Sequence, residues 1–230
     1  LDQHLLTARR QHQRQVLGMS ADDQVIALLP GSRHSERKRM WPVFLQCARE
    51  LLKPSSFPSP ALAGSTLHFV TAQADATSRR WLQAAQQEQA GDLTIHYLDD
   101  VDQVLSVCDL VLAASGTVTL EALLYHRPQV AAYRLNTLTY QLVKHLRLMR
   151  SPWLTLPNIL AAGPLIPEIF QHQANAQNLA RALRHWQQDP QACAAYQQRA
   201  SEIHQSLRHD AHQQAAQTVI TLLGKYANKA

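Results

Sequence analysis

Cysteine is scarce, aromatic residues make up only 6% of the chain, and nowhere do eighteen apolar residues run together without a breaker. Each shortage excludes something. Three cysteines (Cys47, Cys108 and Cys193), odd in number and far apart, form no disulfide framework and offer no zinc spacing. They point to a reducing compartment. The low aromatic content, with no stacking motif beside the basic runs, argues against nucleic acid as a partner. The nearest approach to a membrane span is the uncharged run from Ser151 to Pro167, and its four prolines (Pro152, Pro157, Pro164 and Pro167) are incompatible with a spanning helix. The first fourteen residues are polar and arginine-rich and have no apolar core, unlike a signal peptide. Without an initiator Met, further residues upstream are expected. The twelve histidines are scattered and make no HExxH or comparable pattern, so no metal and no other cofactor is expected.

What remains is ample for a core. The 230 residues, 46% hydrophobic and 17% charged, correspond to about one and a half domains at roughly 150 residues each. That composition excludes a disordered chain. Formal charge is +5, but it is unevenly spread. No acidic residue lies between Glu121 and Glu168, whereas Arg127, Arg134, Lys144, Arg147 and Arg150 all do. A second basic cluster places Arg33, Arg37, Lys38 and Arg39 around the single Glu36. Such patches favour a phosphorylated small molecule or an anionic membrane surface, or are merely solvated faces.

Short β-type runs alternate with helical segments. Strands are expected at Val25–Leu29, Leu67–Thr71, Leu93–Leu98, Leu110–Ala114 and Gln129–Tyr133, with helices over about 37–53, 74–89, 101–107 and 117–125. Continuous apolar strands separated by helices describe a doubly wound parallel α/β sheet covered on both faces. The sheet region is expected over about 22–172. A leucine stripe (Leu135, Leu138, Leu142, Leu146 and Met149) with Lys144 and Arg147 off its face reads as a helix packed in the core or lying at a membrane interface. From about 174 to 226 the sequence is rich in Gln, Ala and His and helical in period, broken at Asp189–Pro190 and near Asp210. These residues read as helices packed around the sheet rather than as a second domain.

Two strand–helix junctions carry candidate chemistry. In open α/β sheets ligands bind beyond the carboxyl ends of the strands. Leu28-Leu29-Pro30-Gly31-Ser32-Arg33 offers a glycine turn, with Ser32 and a planar cation suited to phosphate beside it. His34 reads as an exposed loop residue. Ser115-Gly116-Thr117-Val118-Thr119-Leu120-Glu121 places small residues at a helix start, where backbone N–H groups and the helix dipole favour a pyrophosphate. Glu121, about one turn in, can accept hydrogen bonds from paired sugar hydroxyls. The competing reading is plain capping by Ser115 or Thr117, with Glu121 as a dipole partner. A third stretch, Leu156-Pro157-Asn158-Ile159-Leu160 and then Pro167-Glu168-Ile169-Phe170-Gln171, reads as a stiff extended chain carrying Asn158, Glu168 and Gln171. No Ser-His-Asp or Cys-His arrangement follows from spacing.

These blocks, together with Tyr133-Arg134 and Leu138-Thr139, occur in the order and approximate spacing of the lipid-A-disaccharide synthase family, which the chain resembles from about residue 25 onward. The resemblance implies a Rossmann-like sheet forming the C-terminal half of a two-domain GT-B glycosyltransferase, with extra C-terminal helices. It implies a hexosyltransferase that moves a 2,3-diacylglucosamine from its UDP derivative to 2,3-diacylglucosamine 1-phosphate, giving lipid A disaccharide 1-phosphate and UDP. By resemblance Gly31, Ser32 and Arg33 contact the diphosphate, and Ser115, Gly116 and Thr117 receive phosphate. Glu121 holds ribose, and Arg134, Asn158, Glu168 and Gln171 belong to the cleft. The N-terminal acceptor domain with its general base is then expected to be missing, leaving this chain inactive alone.

The same resemblance places the protein in the cytoplasm, peripheral on the inner membrane surface; a homodimer stays open. Other UDP-GlcNAc-type transferases or epimerases, and a non-catalytic UDP-sugar-binding module, are the alternatives. One departure stands out. Where the family has a Gly-Arg pair after the Pro-Asn block, this chain has Ala162-Gly163, one cation fewer.

Overall fold

A computed structural model describes residues 3–53, 64–73, 75–134 and 152–208, with the backbone alone for 3–6. The elements in chain order are α1 (Gln3–Val16), β1 (Gln24–Leu29), α2 (His34–Leu52), β2 (Leu67–Ala72), α3 (Ala76–Ala90), β3 (Ile95–Leu98), α4 (Val101–Val107) and β4 (Leu110–Ala114). They continue with α5 (Thr117–Leu124), β5 (Gln129–Tyr133), α6 (Leu156–Ala161), β6 (Glu168–Phe170), a 3₁₀ turn at Gln171–Gln173, α7 (Ala176–Gln188) and α8 (Pro190–Leu207).

The six strands form one parallel sheet in the order β3-β2-β1-β4-β5-β6. The central strands are almost wholly apolar (Val25–Leu29 in β1 and Leu110–Ala114 in β4) because both faces are covered. Side chains alternate between the faces, with Ile26 and Leu28 of β1 joining Trp41 and Phe44 of α2 on one side. Val25, Ala27 and Leu29 meet Val104 and Leu105 of α4 and Ala122 of α5 on the other. Leu179, Leu183 and Trp186 of α7 and Tyr196, Ala200 and Ile203 of α8 belong to the first of these cores. Asp189 caps α8 through Ala192 N–H at 2.8 Å, and Pro190 takes the first helical position. The expected break at Asp189–Pro190 is therefore a real corner.

Strand order reverses between β1 and β4, and this switch point opens a crevice beyond their carboxyl ends. The chain crosses from β3 back over the sheet to lie beside β1, in register Ile26↔Leu110 to Leu29↔Ala113.

Three elements escape the sequence pattern. Helix α1 has no apolar stripe to betray it, and guanidinium groups hold it instead. Arg9 pairs with Asp102, Arg10 with Asp109, and Arg14 with Asp109 at 2.7 Å. The stretch at 156–161 is helical, not extended. Pro157 sits in the first turn of α6, where its missing N–H has no intrahelical partner to lose. The same helix ends on Ala162 in the left-handed region (φ 52°), a position glycine adopts freely and alanine occupies at some cost. Strand β6, three residues long, is too short for a periodic signal and is defined by pairing Ala131↔Glu168 to Tyr133↔Phe170.

Helix α2 starts at His34, earlier than its apolar pattern, because Glu36 Oε2 accepts the Arg33 N–H at 3.3 Å and closes the first turn. The leucine stripe from Leu135 to Met149, with Thr139, Lys144, Arg147 and Arg150, and the helical reading past residue 208 lie outside the described residues. Among the described residues, no helix is long and apolar enough to cross a membrane.

Candidate functional site

A cleft of about 620 Å³ lies at the switch point, floored by the ends of β1, β2, β4 and β5. Its first wall is the turn after β1. Gly31 has φ 106°, and a Cβ there would stand 2.5 Å from Glu36 Oε2 and 2.9 Å from Glu36 Cβ. Only glycine satisfies both the backbone and the close approach. Glu36 thus folds over the turn while ion-pairing with Arg33 at 3.5 Å, and Arg37 donates to the Ser32 carbonyl at 2.7 Å. The Arg33 side chain remains 80% exposed at the cleft mouth.

The second wall is the start of α5. Gly116 adopts φ 156° and ψ −162°, a conformation essentially restricted to glycine. No side chain caps the helix, so the capping reading of Ser115 and Thr117 does not hold. Thr119 Oγ1 turns back to donate to the Gly116 carbonyl at 2.7 Å. Ser115, Gly116, Thr117 and Val118 line the cleft, leaving the helix N-terminus for an anion. Glu121 lines it one turn further on.

The third wall was not anticipated. Gln73 after β2 and Asp99, Asp100 and Val101 after β3 also line the cleft, and Gln73 Nε2 donates to Asp99 Oδ1 at 3.0 Å. The rule that singled out the ends of β1 and β4 applies equally to β2 and β3, and it was the available signal. Charge of both signs lines this space: Arg33, Glu36 and Arg37 at the β1–α2 turn, Asp99 and Asp100 after β3, and Glu121 on α5.

Seven sequence candidates (Gly31, Ser32, Arg33, Ser115, Gly116, Thr117 and Glu121) meet in the cleft. The other four do not line it. Arg134 donates to the Ala174 carbonyl through Nε (3.1 Å) and Nη2 (2.7 Å). Asn158 is fully buried and exchanges two hydrogen bonds with the Ile166 backbone, at 3.0 and 2.8 Å. The Glu168 carboxylate accepts from Thr155 N–H at 2.8 Å and Thr155 Oγ1 at 2.6 Å. These three satisfy backbone groups beside β5, β6 and α6, which is why polar residues stand there among apolar ones. Glu168 and Gln171 border a separate cavity of about 820 Å³ beside β6, with Arg181 and His185. His34 is not a loop residue: it opens α2 and meets Trp81 edge-on, with ring centroids 5.2 Å apart.

Burial pushes the Cys108 thiol up to about 12, and it raises the Cys47 thiol further still, so neither is a nucleophile. Among the described residues, no group of three or more His, Cys, Asp or Glu is placed to hold a metal ion.

The model of the lipid-A-disaccharide synthetase family matches residues 1–221. The chain belongs to this family. A lipid-A-disaccharide synthase of Pseudomonas putida is 42% identical over 221 residues, and one of Azotobacter vinelandii is 40% identical over 224. These alignments cover 95% and 96% of the chain but 54% and 55% of the relatives. The chain therefore spans about half the length of its lipid-A-disaccharide synthase relatives.

Among solved structures, Anabaena HepE in complex with UDP and glucose superposes with a TM-score of 0.55 at 20% identity, covering 92% of this chain and 52% of that one. WaaG, a glycosyltransferase involved in lipopolysaccharide biosynthesis, gives 0.51 at 14% identity, covering 88% and 47%. At these identities the likeness is one of fold, a Rossmann-like parallel sheet shared with GT-B proteins.

Proposed function

We propose that the cleft binds the UDP end of a UDP-linked diacylglucosamine. The chain is then the donor-binding half of an enzyme that transfers this sugar to diacylglucosamine 1-phosphate, releasing UDP and lipid A disaccharide 1-phosphate. The observation that carries this reading is one cleft that brings together Arg33, the uncapped start of α5 and, one turn further along α5, the Glu121 carboxylate. Arg33 and the uncapped start of α5 suit a diphosphate, whose charge grows as UDP departs. Glu121 suits paired ribose hydroxyls. Family membership supports the same choice, and the HepE structure, which contains UDP and glucose, is in keeping with it. Arg134, Asn158 and Glu168 act in this reading as positioning residues around β5 and β6, and Gln171 borders the neighbouring cavity.

Glycosyl transfer needs donor and acceptor held together with a positioned base. We assign the acceptor site and base to the part of the relatives that this chain does not cover, so the 230-residue chain binds UDP without forming the disaccharide.

A peripheral position at an anionic inner-membrane surface belongs to the same proposal. It is supported by the acid-free stretch 122–167, which, among the described residues, also holds the exposed aliphatics Leu154, Leu156, Ile159 and Leu160. Arg127 and Arg134 donate to backbone carbonyls, so the attraction to anionic lipid is assigned to Lys144, Arg147 and Arg150, which lie outside the described residues.

Glu121→Ala tests the ribose assignment. UDP affinity is expected to fall by about 1–3 kcal/mol, the usual cost of losing a charged hydrogen-bond acceptor, while binding of inorganic pyrophosphate stays unchanged. Calorimetric titration reads both, and equal losses would reject the assignment.

A further inference from the structure

Gln73 is tied to the end of β3 at two points. Its backbone N–H donates to the Leu98 carbonyl at 3.0 Å, and its side-chain Nε2 donates to Asp99 Oδ1 at 3.0 Å. An ionised carboxylate accepts hydrogen bonds and cannot donate them, so this contact decides which end of the amide is the nitrogen. Oε1 is then an acceptor of fixed orientation. It is buried and, among the described residues, has no hydrogen-bond partner, in a residue only 8% exposed that lines the cleft. Folded chains rarely leave a buried acceptor unmatched. Beside a ligand cleft, the missing donor is one the ligand brings.

We propose that Gln73 reads the nucleobase of the bound nucleotide, accepting the imide N3–H of a uracil-type base at Oε1, with Asp99 as the positioning residue that locks the amide. The proposal rests on the reading of the cleft as a nucleotide site. With the diphosphate between the Gly31–Arg33 turn and the start of α5, the ends of β2 and β3 lie next outward in the sheet order, where the other end of the ligand arrives. Uracil presents an N–H at position 3, whereas cytosine presents a bare acceptor there. Cytosine would set two acceptors face to face. The amide cannot turn to offer its NH₂ instead, because Oε1 would then face the Asp99 carboxylate. The lock is what makes the position selective.

Calorimetric titration of the 230-residue chain with UDP, CDP and inorganic pyrophosphate tests this, using the wild type, Gln73→Met and Asp99→Asn. The wild type is expected to bind UDP at least about tenfold more tightly than CDP, the size of one hydrogen bond gained and one mismatch avoided. Gln73→Met is expected to lose about tenfold in UDP affinity and to bring UDP and CDP within about twofold, with pyrophosphate binding unchanged. Asp99→Asn releases the amide and narrows the gap by improving CDP.

A wild type that binds UDP and CDP alike overturns the proposal, as does an unchanged UDP-to-CDP ratio in either variant that still binds pyrophosphate. A wild type that binds neither UDP nor pyrophosphate removes the nucleotide site itself, and the base assignment with it. Failure of the base assignment alone leaves pyrophosphate binding intact.

Discussion

Replacing Arg14 with methionine is expected to destabilise the chain by about 3–5 kcal/mol, the range for breaking a buried charged contact from one side. Arg14 is only 4% exposed. Its Nε donates to the Val107 carbonyl at 2.9 Å, Nη1 to the carbonyls of Asp23 (2.9 Å) and Ala21 (3.3 Å), and Nη2 to Asp109 at 2.7 Å. Asp109 in turn accepts the Val25 N–H at 2.7 Å. This one guanidinium therefore ties α1 to the chain entering β1 and to the turn before β4, the two strands that flank the cleft. Methionine matches the bulk but leaves several acceptors without donors. Urea denaturation should show a lower midpoint at an unchanged slope. Arg9→Met removes an ion pair whose partners are 43% and 50% exposed, and it should cost no more than about 1 kcal/mol. Equal small losses for both would show that α1 is merely laid on the surface.

Gly31→Ala is expected to cost about 2–5 kcal/mol and to weaken UDP binding more than tenfold. Two effects add: the left-handed backbone, at about 1–2 kcal/mol, and overpacking of the new Cβ against Glu36, at about 1–3 kcal/mol. Gly18 separates them. It also has positive φ (70°), but nothing lies within 4 Å of a Cβ placed there, so Gly18→Ala should show the backbone cost alone and leave UDP binding intact. The binding loss at Gly31 follows because Glu36, once displaced, no longer receives the Arg33 N–H or pairs with its guanidinium. Equal stability costs at the two glycines, with UDP affinity preserved, would mean that Glu36 moves aside freely and that the turn is not built around it.

These two positions also show what could be read before the structure. β4 and β5 were legible to the residue, because a strand covered on both faces reads as a near-continuous apolar run. The glycines marked the two junctions that face each other across the switch point. α1 was not legible, since its hold on the sheet is a guanidinium reaching main-chain carbonyls, and that leaves no hydrophobic period. Nor was α6, because a proline in a helix's first turn looks the same in sequence as a proline in an extended chain. Gln73 and Asp99 are 26 residues apart and become neighbours only through the β2–β3 pairing. Conversely, Asn158 and Glu168 stood out as polar residues among apolar ones, and that signal is shared by residues that bind ligands and residues that satisfy buried backbone. The hydrogen bonds to Ile166 and Thr155 show that both satisfy neighbouring backbone groups.

The central claim, that the switch-point cleft is the UDP site, is tested most directly by mapping backbone amide shifts of the isotopically labelled 230-residue chain as UDP is added. The account predicts saturable shifts concentrated at Gly31, Ser32, Arg33, Gly116, Thr117 and Gln73, with Ile169 to Gln173 unmoved. Saturable shifts confined to Ile169–Gln173 and Arg181–His185, beside the larger cavity at β6, or none at millimolar UDP, would contradict it.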